Sequence, residues 1–143
     1  MYKIEPSEAE VSRSIVQYLT MSNVFWWRQN TGMAVYQDKY KGERRVSYGT
    51  KGSSDFGCIA GGNRSKGIPG TYVAIETKTP KEHAFLVKHY DRIKAGRCKT
   101  KRDLHLFDQI TFIEKVKAHG GEGFFVSSLY DLVEEFRKHG FIK

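Results

Sequence analysis

Two short apolar runs with acids at their ends constrain this chain most: GSSDFGCIAGG at residues 52–62 and TYVAIETK at residues 71–78. Each has the length of a strand. The Gly- and Pro-rich GGNRSKGIPG at 61–70 lets them pair as antiparallel neighbours. In that pairing Asp55 comes close to Glu76. Alternation puts Glu76 and Lys78 on one face of their strand and Val73, Ile75 and Thr77 on the other. Strands disfavour charge, so three ionisable groups here need a reason. Two carboxylates this close repel unless a cation lies between them, and hard oxygen ligands suit Mg²⁺ or Mn²⁺ better than zinc. Lys78 then faces the cation's water or a substrate phosphate.

The helices sharpen the pattern. Ser7 and Glu10 have the spacing of a capping box, and Val11, Ile15, Val16 and Leu19 supply the buried stripe of the helix that follows. Ile15 and Leu19 lie roughly 20° to either side of Glu8 at about 100° per residue, so Glu8 belongs to the apolar stripe while Glu10 serves the cap. A second polar group leads an apolar face further on: Gln109, Phe112, Ile113 and Val116 follow the i, i+3, i+4, i+7 spacing of a helix expected over about 104–118. Taken alone, Asp55 reads as a turn acid, E-x-K as an amphipathic strand edge and Gln109 as a satisfied amide near a helix start. Together they read as one site.

The remaining chain reads as a strand over 23–32 ending in a polar turn, a loose hairpin over 33–51 turning near Gly42, a helix over 83–95 with Leu86, Tyr90 and Ile93 inward, a basic loop through Arg102, a short strand GFFVSS, and a C-terminal helix capped by Ser127 or Ser128. The order α-β-(β)-β-β-α-α-β-α predicts a single α/β domain, a mixed central sheet flanked by helices. Of Trp26 and Trp27, on opposite faces of one strand, one is expected in the core and the other at an interface or a base.

Charge bounds the partners. The 24 Lys+Arg and 16 Asp+Glu leave +8, which favours a polyanion. Residues 79–103 carry eight Lys/Arg and three Asp/Glu, a net of +5, together with Phe85 and Tyr90. Arg97, Lys99, Lys101 and Arg102 there, with Lys51, Arg64 and Lys66 beside the paired strands, are the candidate nucleic-acid contacts. The five His and two Cys never fall at zinc spacing, and no G-x4-G-K-[ST] loop is present, so neither structural zinc nor a nucleotide cofactor is expected. Cys58 reads as a small core residue. No apolar run approaches the ~20 residues of a membrane span, and MYKIEPSEAE has no apolar signal core, so a cytoplasmic setting is expected.

Glu8, SSD at 53–55, ETK at 76–78 and the L-x-x-Q helix LHLFDQITF at 104–112 resemble the PD-(D/E)XK nuclease superfamily. More narrowly they resemble its virus-type replication-repair nuclease (VRR-NUC) domain. The likeness extends to WWRQNTG at 26–32 and FFVSSLYDL at 124–132, nearly the whole chain. It implies a restriction-endonuclease-like core and a divalent metal, Mg²⁺ or Mn²⁺, bound by Glu8, Asp55 and Glu76, with the Thr77 backbone carbonyl as a further ligand. It also implies that Lys78 positions the attacking water, that Gln109 supports the site, and that Ser128 has a minor part. Ser54 stands where the superfamily pattern has Pro. The roughly 25 residues between ETK and the Q-helix exceed the expected link, and that insertion is the basic stretch. The expected function is metal-dependent endonucleolytic cleavage of DNA, preferably branched DNA such as a Holliday junction, by a homodimer; a phage or mobile-element origin fits the likeness. The rivals are a catalytically idle DNA-binding module, a sequence-specific restriction-type cutter, and an RNase.

Overall fold

The computed structural model describes residues 4–29, 32–40, 42–49 and 52–143. The chain forms α1 (Glu8–Met21), β1 (Phe25–Arg28), β2 (Gly32–Asp38), β3 (Gly42–Tyr48), β4 (Phe56–Ala60), β5 (Thr71–Thr77), α2 (Pro80–Lys94), α3 (Lys101–Ala118), β6 (Glu122–Val126) and α4 (Leu129–Lys138). Four strands make a mixed sheet in the order β1-β4-β5-β6, and β2 and β3 make a separate two-stranded ribbon. The expected α/β architecture with a mixed sheet is therefore present.

Antiparallel pairing carries β1, β4 and β5; β5 and β6 run parallel, which the α2–α3 crossover between them makes possible. Alternation along β5 sorts the two faces. Val73 and Ile75 join Phe56, Phe124, Val126 and the α1 and α4 residues Ile15, Leu19, Leu132 and Phe136 in the larger core cluster. On the other face α3 lies against β5 and β6, and Leu106 and Ile110 join Leu86 and Ile93 of α2 in a second cluster. Gly123 is what brings α3 down: a Cβ there would stand 2.9 Å from Ile113 Cγ2.

The helix starts follow local chemistry. The Ser7–Glu10 capping box closes as expected, with Ser7 N–H donating to Glu10 Oε2 at 2.7 Å and Glu10 N–H to Ser7 Oγ at 3.3 Å. Helix α2 begins at Pro80, three residues before the expected start, because Thr79 and Glu82 form a second capping box with Pro at the first turn. Helix α3 also begins three residues early, at Lys101, capped by the Thr100 hydroxyl on Asp103 N–H. The supposed basic loop is thus a shorter turn. Asp103 shapes that turn from a buried position: its Oδ2 accepts from Arg92 Nη1 at 2.8 Å and from Lys99 N–H at 2.9 Å. These donors hold its carboxyl down at about 2. Ser128 caps α4, accepting from Asp131 N–H at 3.1 Å.

The hairpin expected over 33–51 is a complete ladder from Gly32↔Tyr48 to Asp38↔Gly42, not a loose one, and the two strands pack chiefly on each other. The strand expected over 23–32 stops at Arg28; Asn30 and Thr31 of its polar turn lie outside the described residues. Both tryptophans are packed. Trp26 lies edge-on to Phe56 and donates to Thr20 Oγ1, whereas Trp27 crosses Gly57 and stacks on Tyr72. No described helix is long and apolar enough to cross a membrane.

The segment that returns from the hairpin to β4 depends on Gly52, whose φ is +76° and whose position leaves no room: a Cβ would meet the Asp108 carbonyl oxygen at 2.3 Å. Gly52→Ala should therefore cost about 2 kcal/mol or more of stability through backbone strain and displaced packing. Urea unfolding should show a lower midpoint at unchanged slope; an unchanged midpoint would mean that the contact with α3 carries nothing.

Candidate active site

The register Phe56↔Ile75 places Asp55 just beyond the last β4–β5 pair, opposite Glu76. Asp55 then exchanges hydrogen bonds with Glu76 and Thr77 at the end of β5. Asp55 N–H donates to Glu76 Oε2 at 3.1 Å, while Asp55 Oδ2 accepts from Thr77 N–H at 2.8 Å and Thr77 Oγ1 at 2.7 Å. The expected proximity of the two acids is thus present. On the α1 side, Ser12 Oγ meets Thr77 Oγ1 at 3.0 Å.

Glu76 is 3% exposed and Lys78 6% exposed, which is unusual for charged side chains and makes their partners decisive. Glu76 Oε1 accepts from Gln109 Nε2 at 2.6 Å and lies 3.7 Å from Lys78 Nζ. Burial, then the charge of Asp55, push the Glu76 carboxyl up to about 8 against the pull of Lys78 and of the Asp55 amide. Burial and the charges of Asp55 and Glu82 also raise Glu8. Gln109 lies in the middle of α3, not near its start, and its Oε1 is buried with no hydrogen-bond partner.

These groups share a cavity of about 370 Å³ lined by Glu8, Gln29, Ser53, Asp55, Glu76, Lys78, Glu82, His105 and Gln109. Glu8 lies on the stripe side of α1 at the helix's first residue, and of the two places open to an acid there, buried in the stripe or aimed at a site, it takes the second, exposed at the cavity rim. Glu10 is confined to the cap, as expected.

Four lining residues were not foreseen as site residues. Gln29 bridges the site to the sheet: its N–H donates to the Asp55 carbonyl at 2.9 Å, its Nε2 to Ser54 Oγ at 2.7 Å, and its Oε1 accepts from Tyr72 Oη at 2.6 Å. His105 is one turn before Gln109, with its Nε2 at 3.2 Å from Gln109 Nε2. Glu82 was hidden by its capping role, and Ser53 by its place in the SSD run. The i−4 spacing of His105 from Gln109 was the one readable signal.

The basic candidates divide. Arg97, Lys99, Lys101 and Arg102 are exposed on the α2–α3 turn and first turn of α3; Lys101 stands one turn before His105 and so flanks the cavity. Arg102 lies over the Phe85 ring at 3.6 Å and so covers one of its faces, and the Tyr90 hydroxyl donates to Glu114 Oε1 at 2.7 Å. Arg64 and Lys66 sit in the β4–β5 turn beyond Ala60 and Thr71, at the end of the sheet away from Asp55 and Glu76, about 20 Å distant for a seven-residue strand. They line a separate groove of about 1120 Å³, away from the cavity that Asp55 and Glu76 line. Lys51 lies outside the described residues. Cys58 is a buried core thiol pushed up to about 12 by desolvation.

No family model, curated protein or solved structure matches this chain.

The chemistry of the donors fits a hard cation: burial first, and then repulsion from neighbouring acids, raises Glu8 and Glu76, and a bound positive charge would relieve the repulsion. The fit is one of charge and not of preset coordination. Among the described residues no three His, Cys, Asp or Glu side chains stand at ligand spacing, and Asp55 Oδ2 is engaged by Thr77.

A buried acid raised to about 8 makes stability depend on pH. Between the ordinary glutamate value of 4.5 and about 8 the folded chain holds a proton that the unfolded chain releases, so this contribution to stability falls as pH rises through that window. In EDTA, the difference in melting temperature between Glu76→Gln and wild type should grow by about 5 °C or more from pH 5.5 to pH 8.5, in favour of the variant. Parallel melting curves for the two proteins across that range would show that Glu76 is ionised in the fold throughout.

Proposed function

We propose that this chain is a metal-dependent DNA endonuclease of the PD-(D/E)XK kind, with Glu8, Asp55 and Glu76 holding Mg²⁺ or Mn²⁺. The observation that carries the reading is Glu76: a buried carboxylate at a strand end, held by Gln109 Nε2 and the Asp55 amide, with Lys78 Nζ beside it and two further acids around one cavity. Burying such a group is costly, and the fold spends a helix-borne glutamine and a lysine on keeping it in place. The succession α1-β1-β4-β5-α2-α3-β6 with β5 and β6 parallel supports a restriction-endonuclease-like core.

When bound, the divalent cation supplies water activation and neutralises charge on the phosphate. The chain's own groups do the rest. Lys78 sets a fixed positive charge beside Glu76, where it stabilises negative charge developing on the phosphate and orients the attacking water. Gln109 fixes the Glu76 carboxylate and keeps Oε1 as an unused acceptor. The exposed Arg97, Lys99, Lys101 and Arg102 draw in the phosphate backbone. Branched DNA is the proposed substrate and a homodimer the proposed working form, since two strands must be cut by a chain with one such cavity; a single species at monomer mass in sedimentation at micromolar concentration would remove the dimer.

One observation favours a rival. The lack of ligand-spaced carboxylates among the described residues suits a DNA-binding module in which the acids only support the fold. Cleavage of labelled four-way junction, flap, duplex and single-stranded DNA in Mg²⁺, Mn²⁺ or EDTA separates the two. We expect metal-dependent cutting that falls about 10²-fold or more in Glu76→Ala and Lys78→Ala, and about 10-fold to 100-fold in Gln109→Ala. Calorimetric titration with Mn²⁺ should give specific binding that Asp55→Ala abolishes. Binding of all four DNAs with no cutting in either metal would give the case to the binding module.

A further inference from the structure

The net charge is not spread over the fold. Residues 32–51 hold five Lys/Arg (Lys39, Lys41, Arg44, Arg45, Lys51) against Asp38 and Glu43, a net of +3. With the +5 of residues 79–103 this accounts for the whole +8, and the rest of the chain is neutral. The β2–β3 ribbon, Gly32–Asp38 and Gly42–Tyr48, lies within the first of these segments. It pairs fully along its own length, packs chiefly on itself, and shares no pairing with the main sheet. Seven-residue strands give it a reach of about 20 Å.

Its roots lie at the cavity. The chain enters the ribbon from Gln29, which lines the cavity, and returns from it through Ser53 and Asp55, which line it too. Gly52, pressed against Asp108 of α3, fixes the returning strand to the same rim. Lys39, Tyr40 and Arg45 of the ribbon are exposed, and none of its described side chains joins either core cluster, so folding supplies no reason for their charge. The Glu43 carboxylate lies 3.8 Å from Arg45 with both side chains more than half exposed, a contact too solvated to explain it.

We propose that the β2–β3 ribbon is an arm that grips duplex DNA flanking the site, with Lys39 and Arg45 on backbone phosphates about 20 Å, or roughly six base pairs, from the phosphate that the proposed reaction places at the cavity. A two-stranded ribbon has a width that the major groove of B-DNA admits. The acidic cavity then lies between two basic elements, the ribbon and the α2–α3 turn, and the arm sets how much duplex the substrate must offer on that side. The inference rests on DNA as the substrate proposed above and not on its cleavage.

The test is equilibrium binding in EDTA, read by fluorescence anisotropy. A labelled 30-base-pair duplex and a labelled 6-base-pair hairpin are compared over a range of salt for wild type, Lys39→Glu/Arg45→Glu and the milder Lys39→Gln/Arg45→Gln. The charge-reversed protein should bind the long duplex at least about tenfold more weakly, with the slope of log K against log salt reduced by about 2 for the two lost phosphate contacts. The neutral variant should show the slope change with a smaller loss, and binding to the short hairpin should fall less than binding to the long duplex in both. Unchanged affinity and slope on the long duplex would overturn the arm, as would equal losses on both DNAs or no duplex binding by wild type. A shift from dimer to monomer in sedimentation without DNA would assign the ribbon to contact between chains instead. Wild type that binds the long duplex with the expected slope but cuts nothing in Mg²⁺ or Mn²⁺ would sink the nuclease reading and leave the arm standing.

Discussion

The exchange of hydrogen bonds between the mouth of β4 and the end of β5 is the contact on which the rest of the site depends. Past the last backbone pair, the ladder is continued by side chains: Glu76 takes the Asp55 amide, and Asp55 takes the Thr77 amide and hydroxyl. A one-residue slip of β5 would turn Glu76 toward α1 and Thr77 toward α3, and would bury a carboxylate among Ile15, Leu19 and Phe56 without a donor. Register and site are therefore one constraint. The apolar alternation of Val73 and Ile75 fixes the register, and the register fixes the acids.

Helix α3 completes what the sheet begins. Gly123 lets Ile113 lie close on β6, and Gln109, one turn earlier on the same helix, is thereby held at hydrogen-bonding distance from Glu76. Gly57 does similar work on β4: Trp27 crosses it and stacks on Tyr72, whose hydroxyl holds Gln29, whose amide nitrogen holds Ser54 beside Asp55. Side chains as large as Trp27 and Ile113 reach these positions because the strand beneath them has no Cβ. The acids are thus located by packing at several residues that carry no charge.

The strand pairing, the face assignments on β5 and the inward turn of Gln109 were legible because period-2 and period-3.6 patterns report the direction of a side chain around its element. Position along the element is a different quantity. Glu8 has the azimuth of the stripe, but the first turn of α1 runs past the packed part of the sheet, so the acid emerges at the cavity rim. Arg64 and Lys66 failed for a related reason. The turn joining two antiparallel neighbours lies at the end opposite the residues that precede one strand and follow the other, so a turn between Asp55 and Glu76 in sequence is far from both in space. The starts of α2 and α3 were placed late because Thr79, Glu82, Thr100 and Asp103 are polar and break the apolar rhythm, although their spacing is that of helix caps. Gln29 required the β1–β4 pairing, which no local pattern supplies.

The arrangement of charge follows the same division between body and site. Acids stand at one end of the sheet, and the excess of basic residues falls in two stretches of the sequence, 32–51 and 79–103, next to residues that line the cavity. Were the excess positive charge spread evenly over the body, it would attract a polyanion without orienting it. Concentrated on either flank of an acidic cavity, it would bring the backbone of the proposed substrate to the rim, while the carboxylates would repel the phosphate itself without a cation between them. Glu76 is the point at which these demands meet. Its burial makes the ionised form costly in the isolated chain, and the same burial removes the water that would otherwise screen its attraction for a cation. What weakens the fold as pH rises from 4.5 toward about 8 is therefore what would draw a positive charge into the cavity.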